Sequence, residues 1–380
     1  MRKFLLPNKN LVSPKGQGAD FVELFFDLVF VYAITRVTFL TAHHLDFIHI
    51  LQSALVFWLL WWGWTQFTWA LNATNTQIPG VRVLVLIATG VAFVMASSVD
   101  VAFGDGVIWF AASYVLMRII GLILYLRASS SSKEQRSAVT IFALASITGL
   151  IAVIAGAFVD PSLRIGFWIA AVILDLFAST TGAKNENWNL HPMHFAERHG
   201  LIIIIALGES LIVAATAVSG QERSFDLMIV GMLAVLTTCM LWWSYFSWIS
   251  EYLEEQLSKK TGAIQAGFAR DVYSFLHFLI ICGIIGVAVS FEKILQHPHD
   301  VLTMPVAFAL GIGYTLFIGI SAIAVWRATK IILLPRLIIM IISLIGVVLT
   351  IDQFPVWALV IVSLSLGVIN VIEWKKCKNS

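Results

Sequence analysis

Charge is what this 380-residue chain has least of. Asp, Glu, Lys and Arg make up only 12% of it, against 59% hydrophobic residues. That is about half the charged share of a soluble domain. With a mean hydropathy of +0.90, the apolar residues are too many to be hidden in one core, which excludes a soluble globular fold. Cysteine is nearly absent too. Cys239 and Cys282 lie in apolar runs, Cys377 lies in the basic tail, and no CxxC pair occurs, so neither a disulfide framework nor a thiolate metal site is expected. The net charge is only +2. With no basic stripe or basic helix, nucleic acid is not a partner. No nucleotide-binding loop, nucleophile elbow or H-E-x-x-H is found, which argues against an enzyme. The basic N-terminus has an apolar stretch of only three residues. It is therefore expected not to be a cleavable signal peptide, leaving the run from Phe21 as an internal signal anchor.

What is present is a series of apolar runs, each near the roughly 20 residues that a bilayer span needs. They predict an all-α, polytopic transmembrane bundle of about twelve spans: 21–42, 49–71, 81–100, 107–126, 137–158, 163–181, 200–219, 226–249, 268–290, 302–326, 332–351 and 354–373. Pro79-Gly80, Gly104-Asp105-Gly106, Asp160-Pro161 and His297-Pro298 are among the breaks. With the N-terminus in the cytoplasm, and residues at span edges such as Arg336 counted with the adjoining loop, 19 of the 24 Lys and Arg fall inside, 3 (Arg164, Arg223 and Lys293) outside and 2 (Arg36 and Arg118) within spans. Such a bias fixes orientation in a cytoplasmic membrane, with both termini inside.

The two halves echo one another. Phe21-Val22-Glu23 matches Phe195-Ala196-Glu197, Trp61-Trp62 matches Trp242-Trp243, Arg82 matches Arg270, and Tyr114 matches Tyr314. The expected organisation is a cytoplasmic tail (1–20), a six-helix repeat (21–181), a cytoplasmic linker (182–199), a second six-helix repeat (200–373) and a basic tail (374–380). Six spans per repeat give parallel repeats about an axis along the membrane normal.

Ionisable groups within spans cost roughly 2.5–3.5 kcal/mol each and often mark function. Glu23 and Asp27 are four apart and share a helix face, so a proton or cation should sit between them; the alternative is a helix N-terminus complemented at the membrane edge. Arg36, nine residues on, faces away and needs a partner on another helix. His191, His194 and Glu197 are spaced for one helical arc and could hold a divalent metal, or merely form a polar helix entrance that Pro192 interrupts. Arg198 adds a base there. Glu209 lies mid-span, with Gly208 permitting a close neighbour. It is a proton or cation site, or else a buried salt bridge to Arg36 or Arg118. Arg270, Tyr273 and His277 follow i, i+3, i+7 spacing and share a face, and Asp175 lies in span 6. His277 is either a switchable group or a packing residue. The tryptophans Trp58, Trp61, Trp62, Trp64 and Trp69 form interfacial belts and packing, or line a cavity.

The segments Glu23-Leu-Phe-Phe-Asp27-Leu-Val-Phe-Val31, His194-Phe-Ala-Glu197-Arg198 with Leu207-Gly-Glu209-Ser210, and Arg270-Asp-Val-Tyr273-Ser-Phe-Leu-His277 resemble those of the bacterial low temperature requirement protein A (LtrA) family, in the same order and over nearly the whole chain. The resemblance implies a multi-pass inner-membrane protein tied to growth in the cold, and supplies neither a substrate nor a mechanism. From the residues, the leading expectation is a secondary transporter of a small solute. Glu23, Asp27 and Glu209 would exchange a proton or cation while Arg36, Arg118 and Arg270 neutralise acids or bind an anion. The alternatives are a metal- or cofactor-binding membrane protein or enzyme, and a structural or lipid-interacting protein.

Overall fold

A computed structural model of the chain describes residues 11–14, 18–129, 133–182, 190–222 and 224–379. Most of the N-terminal tail, and residues 183–189 of the expected linker, lie outside these. Among the described residues the fold is all-helical. Helices α1 (Phe21–His43), α2 (Phe47–Asn72), α3 (Pro79–Ser97), α4 (Val107–Ala128), α5 (Lys133–Ala157), α6 (Pro161–Gly182), α7 (Pro192–Ser219) and α8 (Phe225–Phe246) are followed by a short α9 (Ile249–Ser258) and α10 (Gly262–Phe268). A π-helical stretch, Ala269–Leu276, leads into α11 (His277–Gln296), then α12 (Met304–Thr329), α13 (Leu334–Leu349) and α14 (Val356–Asn379).

Eleven of the helical stretches are long and apolar enough to cross a bilayer, which makes the chain an integral membrane protein. α13, expected to span, has 16 residues; at about 1.5 Å per residue it reaches about 24 Å, short of a ~30 Å hydrocarbon core, so it would cross only where the bilayer thins around it. The cause is local. Lys330 adopts a left-handed φ of 64° and ends α12, Pro335 fits only in a first turn, and Asp352 has φ 64° beyond the far end. Large apolar side chains such as Phe158 (75% exposed) and Ile342 (63%) point outward, as lipid requires.

The chain divides into two compact units. The first holds residues up to Val37, Leu51–Ile202 and Leu257–Ser274; the second holds Thr38–Ile50, Ile203–Gln256 and Phe275 onward. In the first, α3, α4, α5 and α6 pack in series. The segment before α1 is tied to the end of α2 by an isolated bridge between Val12 and Thr74. Arg164, counted above among the outside charges, is buried. It donates to the carbonyls of Gly156 (3.1 Å), Ala102 (3.2 Å) and Val159 (3.3 Å), groups at helix ends that lipid cannot satisfy.

In the second unit, α12 packs on both α11 and α13, and α14 on α8. The α11–α12 contact is unusually close. A Cβ on Gly283 would lie 2.7 Å from the Gly313 carbonyl, and one on Gly313 would lie 2.7 Å from the Val287 amide. Small residues let backbones approach this way in membranes. Arg336, expected in a cytoplasmic loop, is instead buried on the inner face of α13. It bonds Glu373 of α14 at 3.0 Å and the hydroxyls of Ser244 (2.8 Å) and Ser321 (2.9 Å).

Gly313→Ala should lower stability by about 1–3 kcal/mol, the typical cost of overpacking. Gly166→Ala, where an added Cβ meets nothing within 4 Å, should not lower it. Unfolding midpoints in detergent compare the two.

Candidate functional site

The first unit concentrates charge at the start of α1. Asp20 precedes the helix, and its carbonyl accepts from Glu23 N (2.9 Å) and Leu24 N (3.1 Å). Glu23 Oε1 reaches back to Asp20 N at 3.3 Å, in the manner of a capping box. The Asp20 carboxylate ties the α2–α3 connection, taking Gln77 Nε2 (2.6 Å) and Arg82 Nη2 (3.1 Å). This anchors α1 so that Glu23 and Asp27, one turn apart, point inward together; both are essentially fully buried.

Arg198, on α7, lies between them. Its Nε donates to Asp27 Oδ2 (2.9 Å), Nη2 to Asp27 Oδ1 (2.6 Å) and Nη1 to Glu23 Oε2 (2.5 Å), with a bidentate fork on Asp27. Trp64 Nε1 gives Asp27 Oδ1 a further bond at 2.7 Å, and its ring lies 5.7 Å from the guanidinium carbon. The cation between the paired acids is thus a guanidinium of the chain itself.

His194, one turn before Arg198, completes the cluster. Asn72 Oδ1 accepts the backbone N–H of His191 (2.9 Å), which fixes the amide so that Nδ2 faces the His191 carbonyl (2.9 Å) and His194 Nδ1 (3.0 Å). His194 Nδ1 is therefore the acceptor, and its Nε2–H donates to Glu23 Oε2 at 3.0 Å. Pro192 is no interruption: it opens α7, so 192–199 is helix rather than linker.

A cavity of about 50 Å³ opens on the same stretch of α2, lined among others by Trp62, Thr65, Gln66, Trp69, Tyr125 and Arg270. Thr65 Oγ1 and Gln66 Oε1 are buried and find no hydrogen-bond partner among the described residues. The π-helical stretch forms part of the wall. Ser274 accepts Trp61 Nε1 on its carbonyl (2.7 Å) and Trp69 Nε1 on its hydroxyl (3.0 Å). π segments loosen the regular ladder and recur at functional sites.

That stretch also separates three residues expected on one face. Arg270 pairs with Asp271 (2.6 Å) beside the cavity, and Tyr273 packs edge-on to His199 at 5.2 Å. His277 belongs to the second unit, where its Nε2 meets Tyr245 Oη at 2.6 Å. The i, i+3, i+7 rule assumed 3.6 residues per turn, and a π stretch breaks that period.

Other expected residues also go elsewhere. Arg36 pairs with Asp100. Arg118 forms a bidentate pair with Asp175 (2.9 and 3.1 Å), with Tyr114 Oη on both partners. Glu209 is buried in the second unit, and an added Cβ on Gly208 would meet nothing within 4 Å, so that glycine admits no close neighbour. His191, His194 and Glu197 do not gather as metal ligands. His191 precedes the helix, His194 turns to Glu23 and Asn72, and Glu197 Oε2 accepts Ala19 N at 3.1 Å. Among the described residues, the histidine–carboxylate group whose ligand atoms lie within 4.8 Å of one another is His44, Asp46 and His49.

The echoing positions of the two halves differ in setting. Trp61 and Trp62 are buried while Trp242 and Trp243 are exposed. Tyr114 and Tyr314 are both buried, the latter with its hydroxyl 2.8 Å from Ser365 Oγ. Sequence reading missed Asp20, Trp64 and Asn72 as parts of the cluster. Asp20 three before Glu23 was the one local signal.

Two outcomes follow. Arg118→Leu and Asp175→Leu should each destabilise by about 3–5 kcal/mol, and together by clearly less than their sum, because only the singles strand a buried charge; a double-mutant cycle of unfolding in detergent measures this. Burial, with His194 close by, pushes the His191 imidazole below its ordinary value. A depressed histidine contributes stability that is present above the unfolded value, about 6.5, and lost as pH falls through the folded one. The melting temperature should thus decline as pH drops below about 6.5, and less so in His191→Gln.

No solved structure matches the chain. It is 28% identical over 311 residues to an uncharacterised protein of Rhizobium meliloti (strain 1021), covering 79% of this chain and 75% of that one. The family model described as bacterial low temperature requirement A protein (LtrA) matches residues 18–371. Buried acids clamped on the arginine of His194-Phe-Ala-Glu-Arg198, within a nearly full-length match, place the chain in the bacterial low temperature requirement A family.

Proposed function

We propose that the chain is a proton-coupled secondary transporter of a small solute in the bacterial cytoplasmic membrane, with both termini on the cytoplasmic side. The observation that carries this is a charge imbalance. Two buried carboxylates, Glu23 and Asp27, face one guanidinium, and the fourth member, His194, donates from Nε2 while accepting at Nδ1. With both acids ionised, one negative charge is left over. An uncompensated charge away from water costs several kcal/mol, so the cluster gains by taking up one proton. Arg118–Asp175 and Arg336–Glu373, one acid to one base, have no such need and hold helices together.

The solute occupies the cavity beside Trp62 and Trp69. Thr65 and Gln66 bring a hydroxyl and an amide oxygen in search of partners, and they follow Trp64, which holds Asp27. Solute and proton therefore act on one turn of α2. About 50 Å³ is the space of a few waters, each needing about 10–15 Å³ on this measure. That restricts the cargo to an ion or a solute of a few heavy atoms. Glu209 serves as a second protonation site in the other unit. The reading keeps two parallel six-helix repeats, 21–181 and 200–373, on the strength of the sequence echoes.

In proteoliposomes with an internal pH indicator, small amides, alcohols and inorganic ions should be screened for proton flux driven by a solute gradient. Glu23→Gln and Asp27→Asn should abolish the flux in protein that still elutes as a folded species, and Thr65→Val should weaken it. Flux indifferent to all of these, to Glu209→Gln and to an imposed pH gradient would sink the proposal.

A further inference from the structure

The turn between α1 and α2 carries a second constellation with no part in the charge cluster. His44 follows the last residue of α1, and Asp46 immediately precedes α2, so the two helix ends hold the turn. Asp46 Oδ1 accepts the amides of Ile48 (3.1 Å) and His49 (3.2 Å), which caps α2 and fixes the carboxylate plane. Its other oxygen lies 2.6 Å from His49 Nδ1.

Helix capping accounts for Asp46, but not for His44. The His44 ring stacks on that of His49, with centroids 4.4 Å apart and planes at 27°, and His44 is exposed. One ligand atom from each of the three residues falls within 4.8 Å of the others. His43 stands apart, with Nδ1 3.0 Å from the Phe39 carbonyl.

We propose that His44, Asp46 and His49 form a surface site for a divalent transition metal of the zinc type. Two imidazoles and one carboxylate suit zinc, cobalt, nickel or copper, and not magnesium or calcium, which prefer oxygen alone. Bonds of about 2.0–2.2 Å in a tetrahedron put ligand atoms roughly 3.4 Å apart, so the Asp46–His49 pair, now at 2.6 Å, opens by roughly 0.8 Å and the exposed His44 closes on it by up to about 1.4 Å. The metal displaces the proton between Asp46 and His49. Three protein ligands leave one position open to water. The backbone amides on Asp46 Oδ1 act as the outer shell that orients a metal-binding carboxylate.

The test uses full-length protein without a polyhistidine tag, in detergent. Zinc is titrated by calorimetry, and cobalt by its visible absorption. One zinc per chain is expected, with a tetrahedral cobalt spectrum. Binding should be at least about tenfold weaker in His44→Ala and His49→Ala. Asp46→Asn, which keeps a capping oxygen, should weaken it without lowering the melting temperature. His297 and His299 lie in another exposed loop, where His297 pairs with Asp300 at 3.0 Å; His297→Ala with His299→Ala should leave the affinity unchanged. Zinc bound equally well by the His44→Ala/His49→Ala double variant, or no zinc bound by the folded unaltered protein, overturns the proposal. Should an alanine variant melt early, His44→Gln and His49→Gln replace it.

Discussion

A charge taken out of water into a lipid-facing bundle must find its opposite, and the first unit of this protein is built around one such match, Arg198 between Glu23 and Asp27. The guanidinium can serve both carboxylates because each sits on the inner face of α1, one turn apart, and because α7 starts at Pro192, early enough for position 198 to be helical. Much around it exists to hold that geometry. Asp20 anchors the helix that bears the acids, Trp64 orients the nearer one, and Asn72 orients His194. Two of the other buried arginines obey the same rule more simply, and the third departs from it. Arg118 and Arg336 each take one acid, and Arg164 takes only carbonyls.

The contrast between these sites is what the proposed function rests on. Matched pairs have nothing to gain from another charge. A cluster with two acids and one permanent base can change state with one proton, and it lies beside a small cavity whose hydroxyl and amide oxygen lack partners. That cavity, at about 50 Å³, has room for a few waters as it stands.

Eleven of the expected spans and the shared face of Glu23 and Asp27 were legible in the sequence because each depends on local periodicity. That Arg198 would choose both acids of α1 was not, since helix partners are a tertiary fact. Arg336 read as a loop charge because it stands in the first turn after Pro335, where hydropathy cannot separate a cytoplasmic residue from one folded inward. The π stretch at 269–276 left no mark in composition, so Arg270, Tyr273 and His277 read as a face that the backbone does not make. The His44-x-Asp46-x-x-His49 spacing was visible, but it lay in a turn that served only to separate two spans.

The hydrogen bonds through Asn72 have a direction. The backbone N–H of His191 donates to the amide oxygen, the amide nitrogen donates to His194, and His194 donates to Glu23. Links in series that all run one way cannot be reversed singly. A proton placed on His194 Nδ1 would oppose the Asn72 donor, and turning that amide would break its two bonds to the His191 backbone. Through Asn72 the buried cluster is thus joined, bond by bond, to His191, the residue just before α7, so the orientation of the histidine that touches Glu23 and the position of the backbone entering the helix are set by one side-chain amide.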